Sequence, residues 1–423
     1  MSQSRPENWK LHFGALWGGQ AVSLFGSALV QFALVWWLTS TTKSATVLTT
    51  ATLAAMLPAV LLGPVAGVLV DRWNRRLVML AADGVVAGAI LVLAYLFAVE
   101  AVQVWHVYAI LLVRAAAGAF QNPAMTASTS LMVPDRHLAR VAGFNQSLQG
   151  GMGIVAPPVG ALLLTTLPIQ GVLAVDVVTA LIGMIPLLFI FVPQPAKADA
   201  PAGAPAAKAS FVGEMRAGLR YVTEWPGLLT LLAMALLINF LLTPAASLIP
   251  LLVVEHFNGG AFQLATLDAV FGVGVIGGGI LLGVWGGFKR RIYTSLVGLL
   301  GLGLGFVLLG LTPANAFWLA LVAAAIGSVM QALTNGPIMA IMQATIAPDM
   351  QGRVFSLTMA GSAAMAPLGL LIGGPVAEAL GVQAWFLIGG GVCMLMGVVG
   401  WFLPAILTLE DRATVVAAGA AAD

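Results

Sequence analysis

The chain has 423 residues, of which 60% are hydrophobic and only 8% charged, with 49 glycines and a single cysteine. A soluble globular protein carries about 25% charged residues, so this composition excludes a string of soluble domains, and the lone Cys393 excludes a disulfide framework and a Cys-based zinc site. The net charge of +2, dispersed in short basic clusters, carries no nucleic-acid signature, while the apolar excess suffices for many membrane spans of about 20 residues each.

The polar start, Met1–Lys10, leads into an apolar run without a small-residue cleavage site at signal-peptide distance, which reads as a retained first span. Hydropathy then predicts twelve spans: 13–39, 46–70, 77–98, 104–128, 147–167, 171–192, 227–254, 262–287, 292–311, 314–337, 355–377 and 383–407. Between the sixth and seventh lies a Pro/Ala-rich stretch, 193–210, too poor in large side chains to fold alone and read as a linker. Phe211–Trp225 follows, alternating apolar and basic residues like an amphipathic helix on the inner membrane surface. The predicted organisation is a six-helix bundle over 1–192, a linker over 193–225, a second six-helix bundle over 226–408 and a tail over 409–423. Of the 18 Lys and Arg residues, all but Lys43 and Arg114 fall on one side of this arrangement. The positive-inside rule makes that side cytoplasmic, with both termini on it. Trp36, Trp37, Trp105, Trp318 and Trp385 fall at the outer span ends, at the headgroup level that indoles prefer.

Polar residues inside the spans are few. Span 1 carries Gln20, Ser23, Ser27 and Gln31 at spacings that keep one helical face. Asp83 lies toward the inner side of span 3, Arg114 near the middle of span 4, and Asp176 and Asp268 toward the outer sides of spans 6 and 8. Charges at this depth are costly and are functional candidates by default. A carboxylate that is alternately desolvated and brought near a cation is suited to carrying a proton. Each aspartate has a second reading as a packed, hydrogen-bonded residue, and Arg114 as a structural ligand of backbone carbonyls. Span 7 carries Asn239, Thr243 and Ser247, and span 10 carries Gln331 and Asn335. These are candidates for lining a substrate cavity or for stitching helices together. The four histidines, His12, His106, His137 and His256, are scattered near span ends and read as interfacial rather than metal-ligating. No Walker A, His-Glu-x-x-His or Gly-x-Ser-x-Gly motif appears, so neither ATP hydrolysis nor these hydrolytic chemistries are expected.

The two halves echo each other. Asn122-Pro123-Ala124-Met125 matches Asn335-Gly336-Pro337-Ile338-Met339; Val133-Pro134-Asp135 followed by Arg140 matches Ala347-Pro348-Asp349 followed by Arg353; Ala156-Pro157-Pro158 matches Ala366-Pro367. Three ordered matches at nearly constant offset indicate a duplicated six-span unit, as in secondary transporters that hold substrate near the midplane. The loop after span 2 reads Gly67-Val-Leu-Val-Asp71-Arg72-Trp-Asn-Arg75-Arg76. It resembles the G-x-x-x-D-R-x-G-R-R signature of the major facilitator superfamily, with Asn74 in place of glycine; Asn tolerates a left-handed turn, so the turn is expected to persist. Arg114-Ala-Ala-Ala-Gly118 resembles that superfamily's span 4 pattern, and Gly153–Gly160 a degenerate form of its exporter motif. The region from Leu24 to Thr39, with Lys43–Thr46 and Asp71-Arg72, is similar to its macrolide-efflux and enterobactin-exporter branch of drug:proton antiporters.

This resemblance implies the twelve-helix, two-bundle all-α membrane fold, cavity lining by spans 1 and 7, and a cytoplasmic gate latch in the loop from Gly67 to Arg76. The counterpart at Gly286–Arg291 lacks the aspartate, so that latch is expected to be asymmetric. The expected function is proton-driven export of hydrophobic or amphipathic drugs by alternating access. It would be a monomer in the bacterial cytoplasmic (inner) membrane, with small-molecule substrate, protons and lipid as partners and no cofactor or metal. Export of a defined native compound, such as a siderophore or lysophospholipid, is an alternative; a single cation in the spans suits a densely anionic siderophore poorly. A non-transporting membrane sensor or enzyme is a remoter one.

Overall fold

The computed structural model describes residues 9–190 and 211–411. The predicted linker over 193–210, with Lys197 and Lys208, and also Arg5 and the tail beyond residue 411 with Arg412, lie outside the described residues. Among those described, the chain is helical with no strand, and twelve helices are long and apolar enough to cross a membrane. The order is α1 (Trp9–Thr42), α2 (Ala45–Arg72), α3 (Arg75–Ala98), α4 (Val104–Met132), α5 (Asp135–Thr166), α6 (Ile169–Phe189), α7 (Phe211–Thr223), α8 (Pro226–Leu251), α9 (Ala261–Trp285), α10 (Arg291–Leu311), α11 (Phe317–Thr345), α12 (Pro348–Leu380), α13 (Val382–Phe402) and α14 (Pro404–Leu407).

Local chemistry sets the breaks between them. Ser44 caps α2, its hydroxyl accepting from the Val47 N–H. Asn74 caps α3 by accepting from the Leu77 N–H. Its backbone is extended, with φ −68°. The expected left-handed turn is therefore not formed, and Asn serves here through its side chain, as a helix N-cap does. Pro226 and Pro348 stand in the first turns of α8 and α12, where the missing N–H costs nothing. Pro244 and Pro250 inside α8 remove two donors, and the helix runs on into a π-helical turn at Leu252–His256.

Packing groups the chain into two units, Met1–Asp199 with Gly259–Ala269, and Ala200–Asn258 with Val270–Asp423. In the first, α1 packs on α6 and α5, α2 on α4, and α3 on both α4 and α6. Small residues allow the α1–α6 approach. A Cβ at Gly26 would collide with the Thr179 hydroxyl, and one at Gly183 would stand 2.9 Å from the Ser23 Cβ. In the second unit, α10 packs between α11 and α13, α8 packs on α12, and the amphipathic α7 lies on α12. Here the contact is glycine on backbone: a Cβ at Gly303 would be 2.6 Å from the Gly390 carbonyl oxygen, and one at Gly305 2.6 Å from the Gly327 Cα.

Candidate functional site

The polar stripe of α1 sits against three other helices of its unit. Gln20 and Ser23 are buried, and Ser27 and Gln31 half-buried. Gln20 Nε2 donates to Asp83 Oδ2 at 3.1 Å. Gln121 of α4 donates to Asp83 Oδ1 at 2.6 Å and to Gln20 Oε1 at 3.1 Å. Two turns along α1, the Ser27 hydroxyl donates to Asp176 Oδ1 of α6 at 3.2 Å. Arg114 Nη2 of α4 donates to the Ser27 carbonyl oxygen at 2.8 Å. Asp83 and Asp176 are almost fully buried, at 5% and 2% exposure. The Arg114 Nη1 is buried too and has no hydrogen-bond partner among the described residues. The structure thus brings five sequence-named residues, Gln20, Ser27, Asp83, Arg114 and Asp176, into two adjoining clusters on α1. The close α1–α6 approach at Gly26 makes the Ser27–Asp176 bond possible.

Gln121 was missing from the sequence reading. It stands seven residues after Arg114, two helical turns along the same face of α4. That spacing was the available signal. Asp268 is half-buried on α9 and makes no hydrogen bond or ion pair among the described residues.

The α8 stripe behaves differently. Asn239 donates to the Ala235 carbonyl oxygen at 2.9 Å and Ser247 to that of Pro244 at 2.8 Å, both within their own helix. Asn239 and Asn335 line a small cavity of about 100 Å³ between α8, α10 and α11, together with Ser295 and Thr334. The Ser295 hydroxyl is buried there without a hydrogen-bond partner among the described residues. Gln331 is half-buried on α11.

At the start of α3, the loop motif is built into its unit. Arg75 pairs with Asp71 at 3.4 Å and donates to the Ala127 carbonyl oxygen of α4 at 3.0 Å. Arg76 donates to the Leu188 carbonyl oxygen at 2.5 Å, at the C-terminus of α6 where a cation meets the negative end of the helix dipole. Asp71 and Arg72 are exposed, and a Cβ at Gly67 would meet nothing within 4 Å. Arg72, Trp73 and Asn74 form one end of an apolar groove of about 810 Å³ that runs between α3 and α4, past Ala81 and Ala117.

The counterpart before α10 lacks an aspartate in its own loop, yet acquires carboxylates from further along the chain. Arg290 pairs with Asp411 at 3.0 Å and donates to the Leu407 carbonyl oxygen at 3.1 Å. Glu410 Oε1 accepts from the Ile292 N–H at 2.7 Å, satisfying an orphan donor at the start of α10. Gly286 and Gly287 precede this turn with φ of +77° and +80°, a left-handed backbone that glycine adopts freely.

Comparison with known proteins agrees with this architecture. The chain is 35% identical over 379 residues to macrolide efflux protein A of Streptococcus pyogenes, covering 90% of this chain and 92% of that protein. It is 33% identical to macrolide efflux protein A of Enterococcus faecalis, covering 75% and 97%. It is 30% identical to the multidrug efflux pump Tap of Mycolicibacterium fortuitum, covering 85% and 88%. Among solved structures, a D-xylose-proton symporter superposes with a TM-score of 0.66 at 13% identity, covering 94% of this chain and 98% of that one. A nucleoside transporter superposes with a TM-score of 0.65 at 14% identity, covering 93% and 98%; at such identities the likeness is one of fold. The sequence model of the Major Facilitator Superfamily matches residues 16–285 and 243–417. With twelve helices among the described residues long and apolar enough to cross a membrane, and a family match over nearly its whole length, this chain belongs to the Major Facilitator Superfamily of membrane transporters.

Proposed function

We propose that this protein exports hydrophobic or amphipathic drugs of the macrolide type across a bacterial cytoplasmic (inner) membrane, in exchange for protons, by alternating access. The observation that carries the reading is the 35% identity to macrolide efflux protein A over 90% of the chain. In this reading both termini are cytoplasmic, as the distribution of Lys and Arg supports, and the protein works as a monomer. Gln20, Ser23, Ser27 and Gln31 on α1, Asn239, Thr243 and Ser247 on α8, and Gln331 and Asn335 on α11 contact the substrate. Arg114 offers its buried Nη1 to an acceptor group. Asp83, Asp176 and Asp268 are the groups able to carry a proton, and Gly67, Asp71, Arg72, Arg75 and Arg76 form the cytoplasmic gate motif.

The chemistry is one of binding and charge. A proton entering from outside neutralises a buried carboxylate, and its release inside restores the charge. A half-cycle that carries substrate outward is thereby tied to one that carries a proton inward. The test is substrate-dependent proton movement in proteoliposomes, using macrolides and other amphipathic cations beside an iron chelator and a lysolipid. Proton movement on adding a macrolide supports the reading. Macrolide flux without proton movement overturns the coupling and keeps the transporter. Response only to the chelator or lysolipid replaces the substrate class. A further check is Asp71→Asn, which should bind substrate normally and turn over more slowly; unaltered turnover would reduce the loop to a topology signal.

A further inference from the structure

The triad of Gln20, Asp83 and Gln121 joins three helices through three side-chain hydrogen bonds. An ionised aspartate only accepts hydrogen bonds, whereas a glutamine amide has a donating and an accepting end. Asp83 Oδ2 takes a hydrogen from Gln20 Nε2 at 3.1 Å, and Oδ1 takes one from Gln121 Nε2 at 2.6 Å; bonds to an ionised carboxylate are charge-assisted. The second hydrogen on Gln121 Nε2 goes to Gln20 Oε1. These bonds close a ring across α1, α3 and α4 in which both Asp83 oxygens accept, the pattern an ionised carboxylate supplies and a proton directed into the ring disrupts.

A proton on Oδ1 places a donor opposite the Gln121 donor. Gln121 must then turn its Oε1 toward the acid, which takes its N–H away from Gln20 Oε1. A proton on Oδ2 forces the Gln20 amide to turn instead, which points its N–H at the Gln121 N–H. Either way the bond between the two glutamines is lost. Gln20 belongs to the α1 face that continues to Ser23, Ser27 and Gln31, so the loss is felt on the proposed substrate stripe.

We propose that Gln20, Asp83 and Gln121 form a proton-sensitive clamp in which protonation of Asp83 breaks the Gln20–Gln121 bond and loosens α1 from α4. Gln121 acts as its positioning residue. The clamp rests on the proton-coupled reading above and names the group and the device through which coupling reaches α1. Of the charged side chains on helices packed against α3, α6 brings Asp176 and α4 brings Arg114, both tied to Ser27. At the start of α3, Arg75 is engaged with Asp71 at the end of α2 and with the Ala127 carbonyl. The groups that bond Asp83 are thus two neutral amides, whose orientation a proton can reverse without breaking an ion pair.

The experiment uses the full-length protein in proteoliposomes, with infrared difference spectra taken between acid and alkaline pH and macrolide-driven proton movement measured on the same samples. The expected result is a carboxylic-acid carbonyl band that disappears in Asp83→Asn and persists in Asp176→Asn. In Gln121→Met, similar in size but without the donors, the band shifts in frequency and the pH midpoint of proton movement moves by roughly one unit, a tenfold change in proton concentration, as expected for loss of one charge-assisted bond. A band that persists in Asp83→Asn overturns the clamp. So does a Gln121→Met protein with unshifted band and midpoint, because a merely structural tie would change only stability. If the unmodified protein moves no protons with substrate, the coupling reading falls and the clamp's role with it. If it does, and Asp83→Asn moves them unchanged, the clamp alone falls.

Discussion

The third and sixth membrane helices of the first half, α3 and α6, carry Asp83 and Asp176, whereas their counterparts in the repeat, α10 and α13, carry no charged residue beyond Arg291 at the start of α10. The same contrast holds between α4, with Arg114, and α11, with no charge at all. One duplicated plan has been filled with two kinds of adhesive. The first unit holds its helices together partly by carboxylate, amide and guanidinium bonds, which respond to protons. Between α10 and its neighbours α11 and α13 the second unit relies on glycine-to-backbone contact, which does not; its titratable ties, His256 to the Thr312 carbonyl oxygen and Gln383, and Asp411 and Glu410 to the start of α10, lie at the helix ends. A buried polar network is satisfied only in particular protonation states, while close packing is indifferent to pH. On the proton coupling proposed above, the carboxylate network of the first unit is the pH-responsive one among the spanning helices, and the glycine-packed α10, α11 and α13 are the indifferent ones.

The strongest way to break this comparison is to attack the glycine packing. Gly303→Leu would drive a side chain into the Gly390 carbonyl and Met394. The expected cost is about 3 kcal/mol, seen as loss of the monodisperse protein in mild detergent. A variant as stable as the parent would show that α10 and α13 are not tightly joined. Next comes Asp176→Asn, which keeps the size of the side chain but withdraws its charge from the Ser27–Arg114 cluster. It is expected to lower pH-driven transport by roughly tenfold or more, equivalent to about 1.4 kcal/mol, while substrate exchange at equal pH persists. Unchanged pH-driven transport would remove Asp176 from coupling. In the second unit, Glu410→Ala takes the acceptor from the Ile292 N–H and should cost about 1 kcal/mol, read as a lowered unfolding temperature with transport pH dependence unaltered. A moved pH profile would contradict the division of labour. The smallest effect is expected at Asn74. Restoring the signature's usual glycine should cost only a few tenths of a kcal/mol and Asn74→Ala about 1; equal stabilities for both would mean the Asn74 cap contributes nothing.

Much of the fold was legible because membrane spans announce themselves in one dimension. Long apolar stretches, one-sided Lys and Arg, and repeated Asn-Pro and Pro-Asp pairs fix the helices and their duplication without tertiary knowledge. The polar stripe of α1 was legible for the same reason, since a helical face is a local property. Its partners were not. Gln20 meets Asp83 across 63 positions and Ser27 meets Asp176 across 149; the second pairing depends on how close Gly26 lets α1 and α6 come. Gln121 was overlooked because an uncharged amide beside Asn122-Pro123 reads as part of a repeat motif. The turn at Asn74 was misjudged because Asn has two talents, a tolerated left-handed backbone and a capping side chain, and the sequence does not tell which is used. Glu410 and Asp411 drew no attention beyond the final span, although they replace the aspartate missing from the Gly286–Arg291 loop.

That replacement matters to anyone who shortens or extends the chain. Because Glu410 and Asp411 fasten the beginning of α10 from the far side of α13 and α14, the second unit is closed like a belt, with its buckle at the last described turn. A chain ended after Leu407 would keep every spanning helix and still lose the fastening, leaving Arg290 and the Ile292 N–H without their carboxylates. An affinity handle joined beyond residue 411 would spare it.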